Sequence, residues 1–158
     1  MVKMCFKKIG LTKITILNRL LINLTVVCFT LALFISCSDD DESNIPLVEV
    51  NFQYNINDPD YLNLQTVGGW VEVFGGSRGI ILYRLSNDEI KAYDRHCPYQ
   101  PSSTCGLVSV DATNITATDP CCGSSFLMSN GSVSNPPAAA PLKNYNAIFN
   151  DPILTVTN

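Results

Sequence analysis

His96-Cys97-Pro98-Tyr99 and, farther along, Asp119-Pro120-Cys121-Cys122-Gly123-Ser124-Ser125-Phe126 decide how this chain is read. With Cys105 between them, these stretches place four cysteines between positions 97 and 122. Four thiols gathered in a domain exported from the reducing cytosol predict two disulfides or a metal site. Both outcomes need the two Cys-bearing loops to face each other. A bond between the adjacent Cys121 and Cys122 is disfavoured by strain.

Export is read from the other end of the chain. The first 36 residues hold Lys3, Lys7, Lys8, Lys13 and Arg19 and no acid, whereas everything from Cys37 onward holds five bases and fourteen acids. A basic front followed by an apolar run from Leu20 to Ile35 has the layout of a secretory signal. The run is 16 residues long and interrupted by Asn23, Thr25 and Thr30, short of the roughly 20 apolar residues that a membrane helix needs. It closes on Leu33-Phe34-Ile35-Ser36-Cys37, which resembles a bacterial lipoprotein signal, in which the Cys is diacylated and becomes the mature N-terminus. Phe34 and Ile35 depart from the usual small residues of that box. The following Ser38-Asp39-Asp40-Asp41-Glu42 resembles the surface-export signal of Bacteroidota lipoproteins. These resemblances imply a signal peptide over 1–36, a lipid on Cys37, an acidic tether over 37–46, and an outer-membrane protein facing the cell surface. Acyl chains anchor without a span, since each buried methylene contributes about 0.8 kcal/mol.

A chain beginning at Cys37 has 122 residues and a net charge of −9. That excludes the basic footprint of a nucleic-acid binder. From Leu47 the pattern alternates, with Val48, Val50, Phe52 and Tyr54 on one side and Glu49, Asn51 and Gln53 on the other, as a half-buried strand does. Further strand-like runs cover 70–74, 79–85, 89–93, 107–110, 114–118, 125–128 and 153–156. Turn residues separate them: Gly68-Gly69, Gly75-Gly76, Asn87-Asp88, Asn130-Gly131 and Asn135-Pro136-Pro137. Asn130-Gly131 reads as a tight hairpin turn. No window of helical length repeats apolar residues every three to four positions. The expectation is one all-β sandwich or barrel over 47–158.

The order and spacing of Cys97-Pro98-Tyr99, Asp119 to Phe126, Gly131-Ser132-Val133 and the Pro-rich loop Pro137 to Leu142 resemble a Rieske [2Fe-2S] domain. In that family the first box reads Cys-Pro-His or Cys-Thr-His and the second Cys-Pro-x-His-Gly-Ser-x-Phe. The resemblance runs from about Val67 to Val156. Placed residue by residue, the first-box Cys is Cys97 and its His position is Tyr99. The second-box Cys position is Asp119 and its His position is Cys122. One ligand of four is kept. A Rieske centre needs two thiolates on one iron and two imidazoles on the other, and this chain has one His, His96, out of register beside Cys97.

Some members of the family tie their cluster loops together with a disulfide. Cys105 and Cys121 fall at similar places, and the resemblance then leaves Cys97 and Cys122 at former ligand positions, where a second disulfide would replace the iron as a clamp. The swapped pairing, Cys97 with Cys121 and Cys105 with Cys122, stays open. Closing a loop of this length is worth roughly 3 kcal/mol. The expectation is therefore a cluster-less Rieske-like interaction or structural subunit of an outer-membrane β-barrel complex for import or secretion, with no cofactor. The competing reading is electron transfer or metal binding, with zinc or a [2Fe-2S] cluster of altered ligation held by Cys97, Cys122, Asp119 and either Tyr99 or His96. Enzyme motifs are missing: there is no nucleophile elbow, no phosphate-binding Gly loop and no His-Glu zinc helix. By analogy with the family, whose cluster tip docks on partners, the contact surface is expected at Tyr99, Gln100, Pro101, Asn135, Pro136 and Pro137.

Overall fold

Alternation of inward and outward side chains builds the first strand, β1 (Asn51–Asn55), in a computed structural model that describes residues 45–158. The expected signal peptide, the lipid site Cys37 and the tether as far as residue 44 lie outside the described residues. Ile45 is already buried, so packing begins just ahead of Leu47. The strand starts later than the expected Leu47: its register with β10 (Ile153–Thr157) opens with Asn51 opposite Thr157, and Val48 before it is exposed.

After β1 comes a seven-residue 3-10 helix, Pro59–Gln65, opened by Pro59 and burying Leu64. Its three-residue turn shows no 3.6-residue repeat, which is why the pattern missed it. Then follow β2 (Trp70–Val73), β3 (Ile80–Arg84), β4 (Ile90–Asp94), β5 (Ser109–Val110), β6 (Thr116–Thr118), β7 (Ser125–Leu127), β8 (Val133–Asn135), β9 (Asn144–Asn150) and β10 (Ile153–Thr157). All pairings are antiparallel, in a six-stranded sheet ordered β1-β10-β9-β4-β3-β2 and a four-stranded sheet ordered β5-β6-β7-β8. The small sheet is an insertion between β4 and β9, which are neighbours in the large one.

Two strands were not among the predicted runs. In β9 the inward residues Tyr145, Ala147 and Phe149 alternate with outward Asn144, Asn146, Ile148 and Asn150, and the asparagines, poor strand formers, mask the period. β8 is three residues at an edge, two of them Ser and Asn.

Two apolar clusters share the middle strands. Ile80, Leu82, Ile90 and Ala92 point to one cluster with Val50, Leu64, Leu154 and Val156. Ile81 and Tyr93 point the other way, against Val108, Ala117, Phe126, Met128, Ala138 and Leu142. Covered on both faces, β3 reads as a continuous apolar run rather than an alternation. The second cluster joins the small sheet to the large one and includes Cys97. No helix among the described residues is long and apolar enough to cross a membrane.

Candidate functional site

Two loops converge at the end of the small sheet. The first leaves β4 at Arg95 and returns into β5. A lone bridge pairs His96 with Leu107, and Cys97 N–H donates to Gly106 O at 3.4 Å. Arg78, from the β2–β3 turn, donates from Nη1 to Gly106 O at 2.7 Å and from Nη2 to Ser103 O. The second loop joins β6 to β7. Its Asp-Pro start forms a tight turn, with Gly123 N–H donating to Asp119 O at 2.8 Å and Cys121 N–H to Asp119 Oδ1 at 2.8 Å. An Asp side chain that accepts from the backbone two residues on is the usual reason for Asp in such turns.

Cys105 and Cys121 form a disulfide across the loops, with Cα atoms 5.8 Å apart. The other two cysteines depart from the expected second disulfide. Cys97 and Cys122 are both unbonded thiols, with their sulfurs 3.8 Å apart. A disulfide needs sulfurs about 2.05 Å apart. The swapped pairing is likewise not the one formed. Cys97 is fully buried and Cys122 half-buried. Cys122 Sγ lies 3.2 Å from Asp119 Oδ2 and 3.1 Å from Ser124 Oγ. Burial, then a hydrogen bond to Asp119, pushes the Cys97 thiol well above the usual range, while the Tyr99 N–H that Cys97 accepts acts the other way. Cys97, Asp119 and Cys122 bring their ligand atoms within 4.8 Å of one another.

The remaining expected ligands are not part of this group. His96 is buried, with Nδ1 2.8 Å from Ser77 Oγ and Nε2 2.8 Å from Pro101 O. A carbonyl only accepts, so Nε2 donates to Pro101 O, and Nδ1 shares a hydrogen bond with the Ser77 hydroxyl. Both ring nitrogens are thus engaged in fixing the first loop. Tyr99 packs against the second apolar cluster. Of the expected contact residues, Gln100, Asn135, Pro136 and Pro137 are exposed, whereas Tyr99 and Pro101 are half-buried. The Pro-rich loop is tied to the second box, since Asn135 Nδ2 donates to Gly123 O at 3.0 Å and Ala138 N–H to Ser124 Oγ at 2.9 Å.

One residue the sequence reading passed over organises the base of the first loop. Asp94, at the end of β4, is fully buried. Its Oδ2 accepts from Ser77 N–H at 2.6 Å and Tyr145 O–H at 2.6 Å, and its Oδ1 from His96 N–H at 2.8 Å and Arg78 N–H at 3.3 Å. Burial and the Asp94 carboxylate push the Tyr145 hydroxyl well above its usual range, so it stays a donor. Gly76 lets the β2–β3 turn come this close. Its φ is +58°, and a Cβ there would lie 2.5 Å from both Asp94 Oδ2 and Tyr145 Oη. Gly76→Ala should therefore cost at least about 2 kcal/mol, from αL strain plus displaced hydrogen bonds, read as a lower urea midpoint. An unchanged midpoint would show that the turn has room to shift.

The architecture is that of known Rieske proteins. The plasma-membrane Rieske protein PetC3 of the cyanobacterium Synechocystis PCC 6803 superposes with a TM-score of 0.50 at 18% identity, covering 71% of this chain and 100% of that one. The ferredoxin of carbazole 1,9a-dioxygenase from Nocardioides aromaticivorans IC177 gives 0.48 at 11% identity, covering 68% and 97%. NirD of E. coli gives 0.41 at 17% identity, covering 70% and 94%. No protein-family model and no curated protein matches the sequence. The chain is thus a nearly all-β domain with a Rieske-like fold. What it does has to be argued from its own tip.

That tip does not fit the cluster the fold suggests. The Rieske donor set is two thiolates and two imidazoles, and the one imidazole is hydrogen-bonded elsewhere. Cys97 and Cys122 stand where the family places ligands to different irons, and such ligands have to reach around a two-iron core. At 3.8 Å their sulfurs match instead two corners of one tetrahedron, about 3.8 Å apart for thiolates bound at 2.3 Å to a common ion.

Proposed function

We propose that this chain is a lipid-anchored outer-membrane protein whose Rieske-like domain carries no [2Fe-2S] cluster and acts as a structural or interaction subunit of a larger outer-membrane complex. The observation that carries this reading is the tip itself: the two-loop build and a loop-to-loop disulfide are present, while the two thiolates and two imidazoles of a Rieske centre are not. The loops are held by covalent and hydrogen bonds. Exposed Gln100, Asn135, Pro136 and Pro137 then form the rim available to a partner. Anchoring through Cys37, cell-surface placement and the lack of enzyme activity belong to the same reading and rest on the sequence alone.

The test is composition followed by capture. Protein purified from membranes without chelator should contain neither iron nor acid-labile sulfide in proportion to protein. Near-stoichiometric amounts of both would replace this reading with electron transfer. Cross-linking in intact cells at native expression should then retrieve a β-barrel subunit of the outer membrane, and recovery of the lipoprotein alone would count against an interaction role.

A further inference from the structure

We propose that Cys97, Asp119 and Cys122 form a site for a single divalent zinc ion, with solvent as the fourth ligand. The inference rests on the cluster-free reading of the tip but goes beyond it, since a domain without a cluster need not bind any metal.

The first support is spacing. The two sulfurs and a carboxylate oxygen lie within 4.8 Å of one another, and the sulfur pair, at 3.8 Å, already has the edge length of a tetrahedral dithiolate. Both thiols border the second apolar cluster, yet their surroundings are not apolar throughout. Here a fully buried carboxylate faces them, with Cys122 Sγ 3.2 Å from Asp119 Oδ2. No Lys or Arg among the described residues forms an ion pair with Asp119. A buried carboxylate without a cation is costly, and thiols are weak donors.

The second support is how the sulfurs are held. Cys122 Sγ accepts the backbone N–H of Ser124 at 3.4 Å. Such N–H bonds orient and stabilise thiolate ligands. The two sulfurs come from loops that the Cys105–Cys121 disulfide locks together, so the site is pre-formed. Half-exposed Cys122 leaves one side open for entry and for a water ligand.

The exchange balances in charge. Two neutral thiols and one carboxylate carry a charge of about −1, and two thiolates, one carboxylate and a divalent cation carry the same, with about two protons released to solvent. Loading the site adds no net charge to the interior. Sulfur donors with one carboxylate suit zinc and exclude magnesium and calcium, which take all-oxygen sets.

The experiment uses the full-length lipoprotein in detergent, stripped with chelator and titrated without oxygen, first with Co2+ as a spectroscopic probe and then with Zn2+. The expected result is about one Co2+ per chain, with thiolate charge-transfer absorption and tetrahedral visible bands, displaced by about one Zn2+. Cys122→Ser should weaken zinc binding by about 100-fold or more, and its unchanged metal-free far-UV spectrum would show that the fold is kept. Asp119→Asn should weaken binding while keeping the sulfur absorption. No stoichiometric binding, binding that survives Cys122→Ser, or a Cys97–Cys122 disulfide in protein isolated under thiol-blocking conditions would each overturn the site. Iron with acid-labile sulfide would overturn the cluster-free reading as well, so the two failures are distinguishable.

Discussion

Replacing Asp94 by Ala should lower stability by about 4 kcal/mol, more than any other single polar substitution around the tip. Hydrogen bonds to a charged acceptor contribute about 1.5–3 kcal/mol each, and donors left buried without a partner carry their own penalty. Asp94→Ala strands four donors at once: the N–H groups of Ser77, Arg78 and His96 and the hydroxyl of Tyr145. These lie on the β2–β3 turn, the first loop and β9, so the loss loosens three segments together. Tyr145→Phe removes one of the four partners and should cost only about 1–2 kcal/mol. Both are read from urea unfolding followed by the fluorescence of Trp70, the single tryptophan of the chain. Equal effects of the two variants would show that the carboxylate serves Tyr145 alone and does not organise the loop.

Removing the Cys105–Cys121 bond, by Cys105→Ser and Cys121→Ser together so that neither partner is left as a thiol, should cost about 3 kcal/mol. The bond closes a sequence separation of 16, for which chain-entropy bookkeeping gives about that value. The effect should be local as well as global. Cys105 and Cys121 are exposed, while the strands beneath are held by apolar burial. Proteolysis should therefore cut the first loop between Pro98 and Cys105 sooner in the double variant, with the six-stranded sheet still folded. If the urea midpoint does not move, the hydrogen bonds from Arg78 to Ser103 and Gly106 already hold the first loop in place. The disulfide would then add nothing beyond them.

Much of the fold was legible because it rests on local chemistry. Trp70–Val73, Ile80–Arg84, Ile90–Asp94 and Ile153–Thr157 are dense in β-branched and aromatic residues and end at Gly, Asn or Asp. Gly75-Gly76-Ser77-Arg78-Gly79 reads as a turn, and the structure places it between β2 and β3. What escaped the reading lacked a local signal: the Asn-rich β9, the three-residue edge β8 and a 3-10 helix with no helical period. The Asp94 network was invisible for another reason. Its donors come from positions 77, 78, 96 and 145, and no short window of sequence contains both the acceptor and all its partners.

The same division runs through the tip. Sequence alone determined which side chains are there: four cysteines, one Asp-Pro turn and a single His, which is too few imidazoles for a Rieske centre whatever the fold. It determined the charge balance and the basic, apolar and Cys-ending N-terminal pattern as well. Tertiary structure alone decided that Cys105 pairs with Cys121, that Cys97 and Cys122 remain thiols 3.8 Å apart, that a buried carboxylate faces them, and that His96 is turned away into Ser77 and Pro101. The physical reason is reach. Composition and period are local properties of the chain, whereas bond formation between thiols, and the meeting of a sulfur with a carboxylate, depend on distances of a few ångströms. Those distances are set when two loops pack onto one sheet.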